Sequence, residues 1–103
     1  MISLLVAAAV ASVDARCASR VDFYQPPEGI VSTPESAARV AEIYLTLRYG
    51  APLMRRELPL KARLERGVWL VQGKDLPQGF AGGVAEIQIC RSNGRVLRVV
   101  HGK

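Results

Sequence analysis

One histidine, His101, and two cysteines, Cys17 and Cys90, are the residues best suited to nucleophilic or metal chemistry in this chain. A cysteine nucleophile needs a base to take its proton and a third group to orient that base. His101 is the sole imidazole available to Cys90, and nothing in the sequence supplies the orienting group. Lying close to the C-terminus, His101 reads as a solvated strand end. Two cysteines far apart in sequence and a single histidine do not have the spacing of a zinc site, so no metal or other cofactor is expected. Gly82-Gly83 precedes an apolar strand, with no Gly-Lys-Ser/Thr sequence after it, which excludes a phosphate-binding loop. The chemistry that remains is oxidation. In an oxidising compartment Cys17 and Cys90 allow one intramolecular bridge, and closing a loop of about 70 residues is worth up to ~4 kcal/mol in the chain-entropy model. Sequence leaves that bridge and a pair of free thiols both open, because it does not fix the geometry.

The other residues of interest are suited to binding. Trp69, the only tryptophan, reads first as a core anchor and second as a contact residue of an interface. Glu86 follows the double glycine and lies on the polar side of an alternating strand. Across a hairpin it is within diagonal reach of Arg98. Gly82 and Gly83 permit unusual backbone angles and close approach of another chain.

These residues must be positioned by a single small domain. The chain has 103 residues, half of them apolar, with a formal charge of +5. The basic residues are dispersed, and the longest basic run, Arg55-Arg56, is followed directly by Glu57. A nucleic-acid-binding stripe with interleaved aromatics is absent, so nucleic acid is not an expected partner.

Residues 1–15 resemble a secretory signal of the Sec type. Ile2 to Val13 is apolar and alanine-rich, too short to span a bilayer, which needs roughly 20 residues. Val13-Asp14-Ala15 offers compact residues at the positions a signal peptidase reads, so cleavage after Ala15 and a periplasmic or secreted product are expected. The mature chain should then hold no stable membrane span. No Lys or Arg precedes the apolar run, which departs from the usual signal pattern.

Residues 16–32, broken by Pro26, Pro27 and Gly29, read as an extended lead-in to a domain over 33–103. Thr33-Pro34-Glu35 opens a helix, with threonine as cap, proline in the first turn and glutamate at the positive end of the dipole. Ala37, Val40, Ala41, Tyr44 and Leu47 recur at helical spacing, Ile43 widens the stripe, and Gly50 ends the helix. A short second helical turn is expected over 52–57. The rest alternates as strands: 60–64, 68–71, 84–91 and 95–101, with turns at Glu65-Arg66-Gly67 and Ser92-Asn93-Gly94. A three-residue loop ending in Gly94 pairs Ile89 with Leu97 and Ile87 with Val99. That register puts Ala85, Ile87, Ile89, Leu97 and Val99 on one apolar face. The opposite face carries Glu86, Gln88, Cys90 and Arg98. The expected fold is a two-layer α+β domain, cystatin-like in outline: one main helix packed on a four-stranded antiparallel meander.

The helix ending in Tyr49-Gly50, the strand Gly67-Val-Trp-Leu-Val-Gln-Gly73, the block Gly82-Gly83-Val-Ala-Glu86 and the ending Asn93 to Lys103 together carry a family resemblance. The chain from Thr33 to Lys103 resembles the bacterial immunity proteins with a nuclear-transport-factor-two-like fold, which act in polymorphic toxin systems. The resemblance implies a non-catalytic protein that binds and neutralises a cognate toxin. Trp69, Gly82, Gly83 and Glu86 fall on motif positions of that family. The chain is short for a full cone-shaped fold of this type, and a secretory signal fits only a toxin met in the envelope. A looser resemblance, to small exported PepSY domains, implies instead a domain that binds or regulates a peptidase or another envelope protein. An enzyme of the cone-shaped fold ranks third, for want of polar groups to line a pocket.

Overall fold

The computed structural model describes residues 12–18, 24–74 and 84–102. A short 3-10 helix at Ala15–Cys17 precedes helices α1 (Pro34–Tyr49) and α2 (Ala51–Glu57), then strands β1 (Lys61–Glu65), β2 (Val68–Gln72), β3 (Ala85–Cys90) and β4 (Val96–His101). The strands form one antiparallel sheet in the order β1-β2-β3-β4. The expected meander is therefore present, with α2 as a full second helix in place of a single turn.

Helix α1 begins where its capping residues require. Thr33 Oγ1 accepts from the Ser36 N–H at 3.0 Å, and Ser36 Oγ accepts from the Thr33 N–H at 3.1 Å. Two N–H groups that the first turn leaves without helical partners are thus satisfied reciprocally. Gly50, at φ +95°, ends the helix.

The buried stripe of α1 is Ala37, Ala41 and Leu45, with Val40 and Tyr49 beside it. This corrects the expected stripe. Tyr44 is exposed, and Ile43 and Leu47 are 66% and 83% exposed. The helix presents small residues to the sheet, so α1 can lie close to it, and its larger apolar side chains are left outside.

The core between helices and sheet joins Leu45 and Met54 to Val71, Ile87 and Ile89, all at most 2% exposed. Each such side chain contributes about 1.5–3 kcal/mol on burial. Val31 and Trp69 close the core at one end. The lead-in segment is docked there: Ile30 and Val31 donate backbone N–H groups to the Ser92 and Arg91 carbonyls.

The β3–β4 hairpin departs from the expected register near its turn. Ile87 does oppose Val99, but Ile89 opposes Val96, with a bulge between Gln88 and Ile89. Leu97 is the extra residue, and it turns to the opposite face, against Cys17, Val68 and Cys90. The turn is correspondingly longer: Cys90 N–H donates to Arg95 O and Gly94 N–H to Cys90 O, leaving Arg91–Gly94 as the loop. The bulge gives both sides of the hairpin an apolar residue to bury, which a regular ladder would not.

Candidate functional site

Helices cover one face of the sheet; the other face is the first candidate surface. Strand parity places Leu70 and Gln72 of β2, Glu86 and Gln88 of β3, and Arg98 and Val100 of β4 together there. Glu86 is half-buried, opposite Val100, and accepts from Gln72 Nε2 at 3.5 Å. Arg98 is exposed and opposite Gln88, two residues along β4 from the partner of Glu86. The sheet thus puts Glu86 and Arg98 on one mixed surface of acid, amide, guanidinium and aliphatic groups. Trp69 is on the other side. It is 4% exposed, and its indole N–H donates to the Val31 carbonyl at 2.7 Å. With so little surface to offer a partner, it anchors the lead-in. Gly82 and Gly83 lie outside the described residues.

One end of this face is covered by residues 12–18. Cys17 and Cys90 form a disulfide, with Cα atoms 5.4 Å apart, and both are buried against Val68, Leu70 and Leu97. Asn93 Nδ2 donates to the Cys17 carbonyl at 2.9 Å. Asp14 caps the 3-10 helix and meets the Arg16 guanidinium at 2.8 Å. That side-chain hydrogen bond, helped by the Arg16 backbone N–H, lowers the Asp14 carboxyl from 3.8 to about 2. A shallow cavity of about 220 Å³ lies beside this segment, between Arg16, Arg66, Leu70 and Gln88.

The opposite end holds a polar group that sequence reasoning missed. Glu57, the last residue of α2, is fully buried. Its Oε1 accepts from the Ala85 N–H at 2.5 Å and its Oε2 is 3.1 Å from His101 Nε2. Its backbone carbonyl accepts from the Lys74 N–H at 2.6 Å. The Tyr49 ring packs at 5.3 Å on the His101 ring, and the Arg48 guanidinium lies 5.0 Å from the Tyr49 ring centre. His101, expected as a free strand end, is the partner of a buried carboxylate. Glu57 links α2 to both strands that flank residues 75–83, and Gly73 leaves room for it, since a Cβ there would fall on Glu57 Oε1. A single glutamate after two arginines reads as solvated. Its spacing of three from Met54 on a short helix is the one sequence signal that places it inward.

The second candidate surface is apolar. Ile43, Thr46 and Leu47 of α1 face Ala51, Met54 and Leu58 across a groove of about 450 Å³, rimmed by Glu42 and Arg55. Among the described residues there is no cluster of His, Cys, Asp or Glu able to hold a metal, and no helix is long and apolar enough to cross a membrane.

Comparison with known proteins gives these surfaces a context. The chain is 40% identical over 73 residues to the uncharacterized protein YbbC of Escherichia coli K12, covering 71% of this chain and 60% of that one. It is 35% identical over 74 residues to the uncharacterized protein YhhH of the same organism, covering 72% and 58%. The matches thus span little more than half of the length of these relatives. No solved structure matches the chain. Residues 36–103, which hold α1 from its third residue, α2, the whole sheet and the Glu57–His101 pair, match the model of the NTF2 fold immunity proteins, and the chain belongs to that family.

Proposed function

We propose that this protein neutralises a bacterial protein toxin by binding it stoichiometrically in the cell envelope, as part of a polymorphic toxin system, and that it catalyses no reaction. The observation that carries this reading is the family match over residues 36–103. The geometry agrees with it. An open sheet face that mixes charge, amides and aliphatic carbon suits a protein interface with a polar rim. Glu86 and Arg98 are the charged side chains central to that face. The disulfide agrees with an oxidising compartment.

A second docking face is favoured by one observation, the exposure of Ile43 and Leu47 beside an apolar groove. Exposed aliphatic side chains around a groove are typical of contact surfaces. The test is a pull-down of the tagged chain from the envelope fraction of its host, followed by toxicity assays on the captured protein expressed alone. A single stoichiometric partner that kills cells, and is silenced by co-expression of this chain, is the expected result. Recovery of a peptidase whose activity changes on binding would replace the proposal with the PepSY-like reading. With the partner in hand, Glu86→Ala combined with Arg98→Ala should weaken binding at least tenfold, about 1.4 kcal/mol. Unchanged affinity there, with loss on Leu47→Glu, would move the interface to the α1–α2 groove.

A further inference from the structure

The open face of the sheet carries more positive than negative charge, and the excess is left uncompensated. Strand parity gives it Lys61, Arg63 and Glu65 from β1, Glu86 from β3 and Arg98 from β4. Asp14, Arg16 and Arg66 stand at its covered end. Those are five basic side chains against three acidic ones. Two of the acids are already paired, Asp14 with Arg16 at 2.8 Å and Glu65 with Arg63 at 3.2 Å. The third, Glu86, accepts from the Gln72 side-chain amide. Among the described residues Lys61, Arg66 and Arg98 have no carboxylate in ion-pair contact. Arg66 directs its donors to the neutral carbonyl and hydroxyl of Ser12.

We propose that the protein segment docking on this face is acidic, with carboxylates set among aliphatic side chains, and that one of its carboxylates enters the cavity over Leu70 and Gln88. The inference rests on the reading of this chain as a toxin-binding protein and names the chemistry of the bound surface. The cavity measures about 220 Å³, below the roughly 300 Å³ at which small-molecule pockets begin, so it takes a side chain in place of a free ligand. Leu70 offers aliphatic surface to the stem of that side chain, the Gln88 amide offers a donor, and Arg66 offers positive charge. Asp14 and Glu65 also line the cavity, but each is held by its own guanidinium. Arg63, Leu70, Gln88 and Arg98 are paired in turn across the four strands, so the cavity lies midway along a row with an arginine at each end. Three gaps of about 4.8 Å put those ends about 14 Å apart, and the middle about 7 Å from Arg98. Alternate side chains of an extended segment are also about 7 Å apart. A carboxylate in the cavity therefore leaves the next one on the same side above Arg98.

Nucleic acid fits this face less well. Glu65 and Glu86 interrupt the positive charge that a phosphate backbone would follow. No aromatic side chain stands at these strand positions for a base to stack on. A protein segment that mixes carboxylates with aliphatic carbon matches the face in both respects. The formal +5 of the whole chain adds long-range attraction for an acidic partner.

The test titrates the full, disulfide-bonded chain, labelled with nitrogen-15, with a synthetic peptide of alternating glutamate and leucine. The same peptide with lysine for glutamate, and an oligothymidylate, are titrated in parallel. The glutamate peptide is expected to move the backbone amide signals of Arg66, Leu70, Gln88 and Arg98. Its affinity should fall at least about tenfold between about 20 mM and about 200 mM salt, as screening shortens the reach of the charges. Arg98→Glu, at an exposed position, should weaken it at least about threefold with the melting temperature kept. Arg66→Gln should weaken it to a similar degree, and Arg66→Lys should restore most of the affinity. Equal binding of the lysine peptide, tighter binding of the oligothymidylate, signal changes confined to α1 and α2, or no change with the glutamate peptide would each overturn the proposal. A captured toxin that binds the Arg66→Gln and Arg98→Glu proteins as tightly as the parent would overturn this docking mode and leave the neutralisation reading standing. Binding of the glutamate peptide at the cavity, with no toxin among the captured proteins, would remove that reading and keep an acid-binding face.

Discussion

Replacing His101 by alanine should destabilise the protein far more than a position beside the C-terminus suggests. A surface substitution away from special features changes stability by less than about 0.5 kcal/mol. His101 is different because of what lies under it. The Glu57 carboxylate is fully buried and has two partners, the Ala85 backbone N–H at 2.5 Å and His101 Nε2 at 3.1 Å. Removing the imidazole leaves Oε2 without its donor. Breaking a buried ion pair costs about 3–5 kcal/mol, but the His101 side chain is 23% exposed, so water enters the space it leaves. The cost should then fall towards that of one hydrogen bond to a charged group, about 1.5–3 kcal/mol. Loss of the ring contact with Tyr49 at 5.3 Å adds about 0.5–1.5 kcal/mol. We therefore expect a loss of about 2–4 kcal/mol for His101→Ala. In urea, with a slope near 1 kcal/mol/M for a small domain, that lowers the midpoint by roughly 2 M or more. The contribution of the pair is isolated with Glu57→Met. That change alone leaves the Ala85 N–H unsatisfied, at about 1–3 kcal/mol. Once the carboxylate is gone, the further change His101→Ala should cost only the Tyr49 contact, so the double variant should be at least ~1 kcal/mol more stable than the sum of the single effects predicts. Strict additivity, or a His101→Ala protein within 0.5 kcal/mol of the parent, would refute the view that His101 supports the fold as the hydrogen-bond partner of the buried Glu57 side chain.

Three further outcomes follow from the same geometry. Gly73→Ala should lose about 1–3 kcal/mol in a thermal melt, because the added methyl meets the Glu57 carboxylate, whose oxygens are held by Ala85 and His101. Replacing Cys17 and Cys90 together by serine should lower stability by about 4 kcal/mol, the chain-entropy value for a separation of 73 residues; an unchanged melting temperature would show that the bridge constrains nothing. Asp14 should titrate near 2 by carboxyl carbon NMR, below its ordinary 3.8. Its folded value is depressed, so its contribution to stability is complete above 3.8 and is lost as pH falls through about 2. Arg16→Ala should move the midpoint back towards 3.8.

The elements visible in the sequence were those set by local rules. Thr33, Pro34 and Gly50 bound α1 through capping geometry and a positive φ, which depend on neighbours a few residues away. Alternation located the strands, since period two survives wherever one face is buried. The failures arose where packing between elements decides. Helical spacing places Ala37 and Ala41 on the buried stripe of α1, where they are, but it also places Tyr44, Leu47 and Ile43 there, and these are exposed while Leu45 is buried in their stead. Hydrophobicity alone does not separate a side chain that packs on the sheet from one left for a partner, and both patterns have helical spacing. The hairpin was misjudged for a related reason. One continuous apolar face looked like the optimum, but the disulfide and Val68 form a second small apolar cluster on the opposite face, and Leu97 is drawn to it by a bulge.

The least legible residue was Glu57, and its concealment has a physical basis. A buried charge is tolerated when its partners are supplied by tertiary structure. Here they come from Ala85 and His101, 28 and 44 residues away, so no window of sequence contains the pair. The same carboxylate accounts for Gly73, which must lack a side chain, and for His101, which looked unused. One buried group thus determines residue types at two separated positions and fixes the ends of β3 and β4 to α2. The surfaces available for binding, the open sheet face and the α1–α2 groove, flank that anchor without including it. If the proposed toxin binding holds, substitutions at Glu57 or His101 should act on it through stability, whereas those at Glu86, Arg98 or Leu47 should act on binding with stability preserved. Comparing affinity with melting temperature across these five positions separates the framework of this immunity protein from its interface.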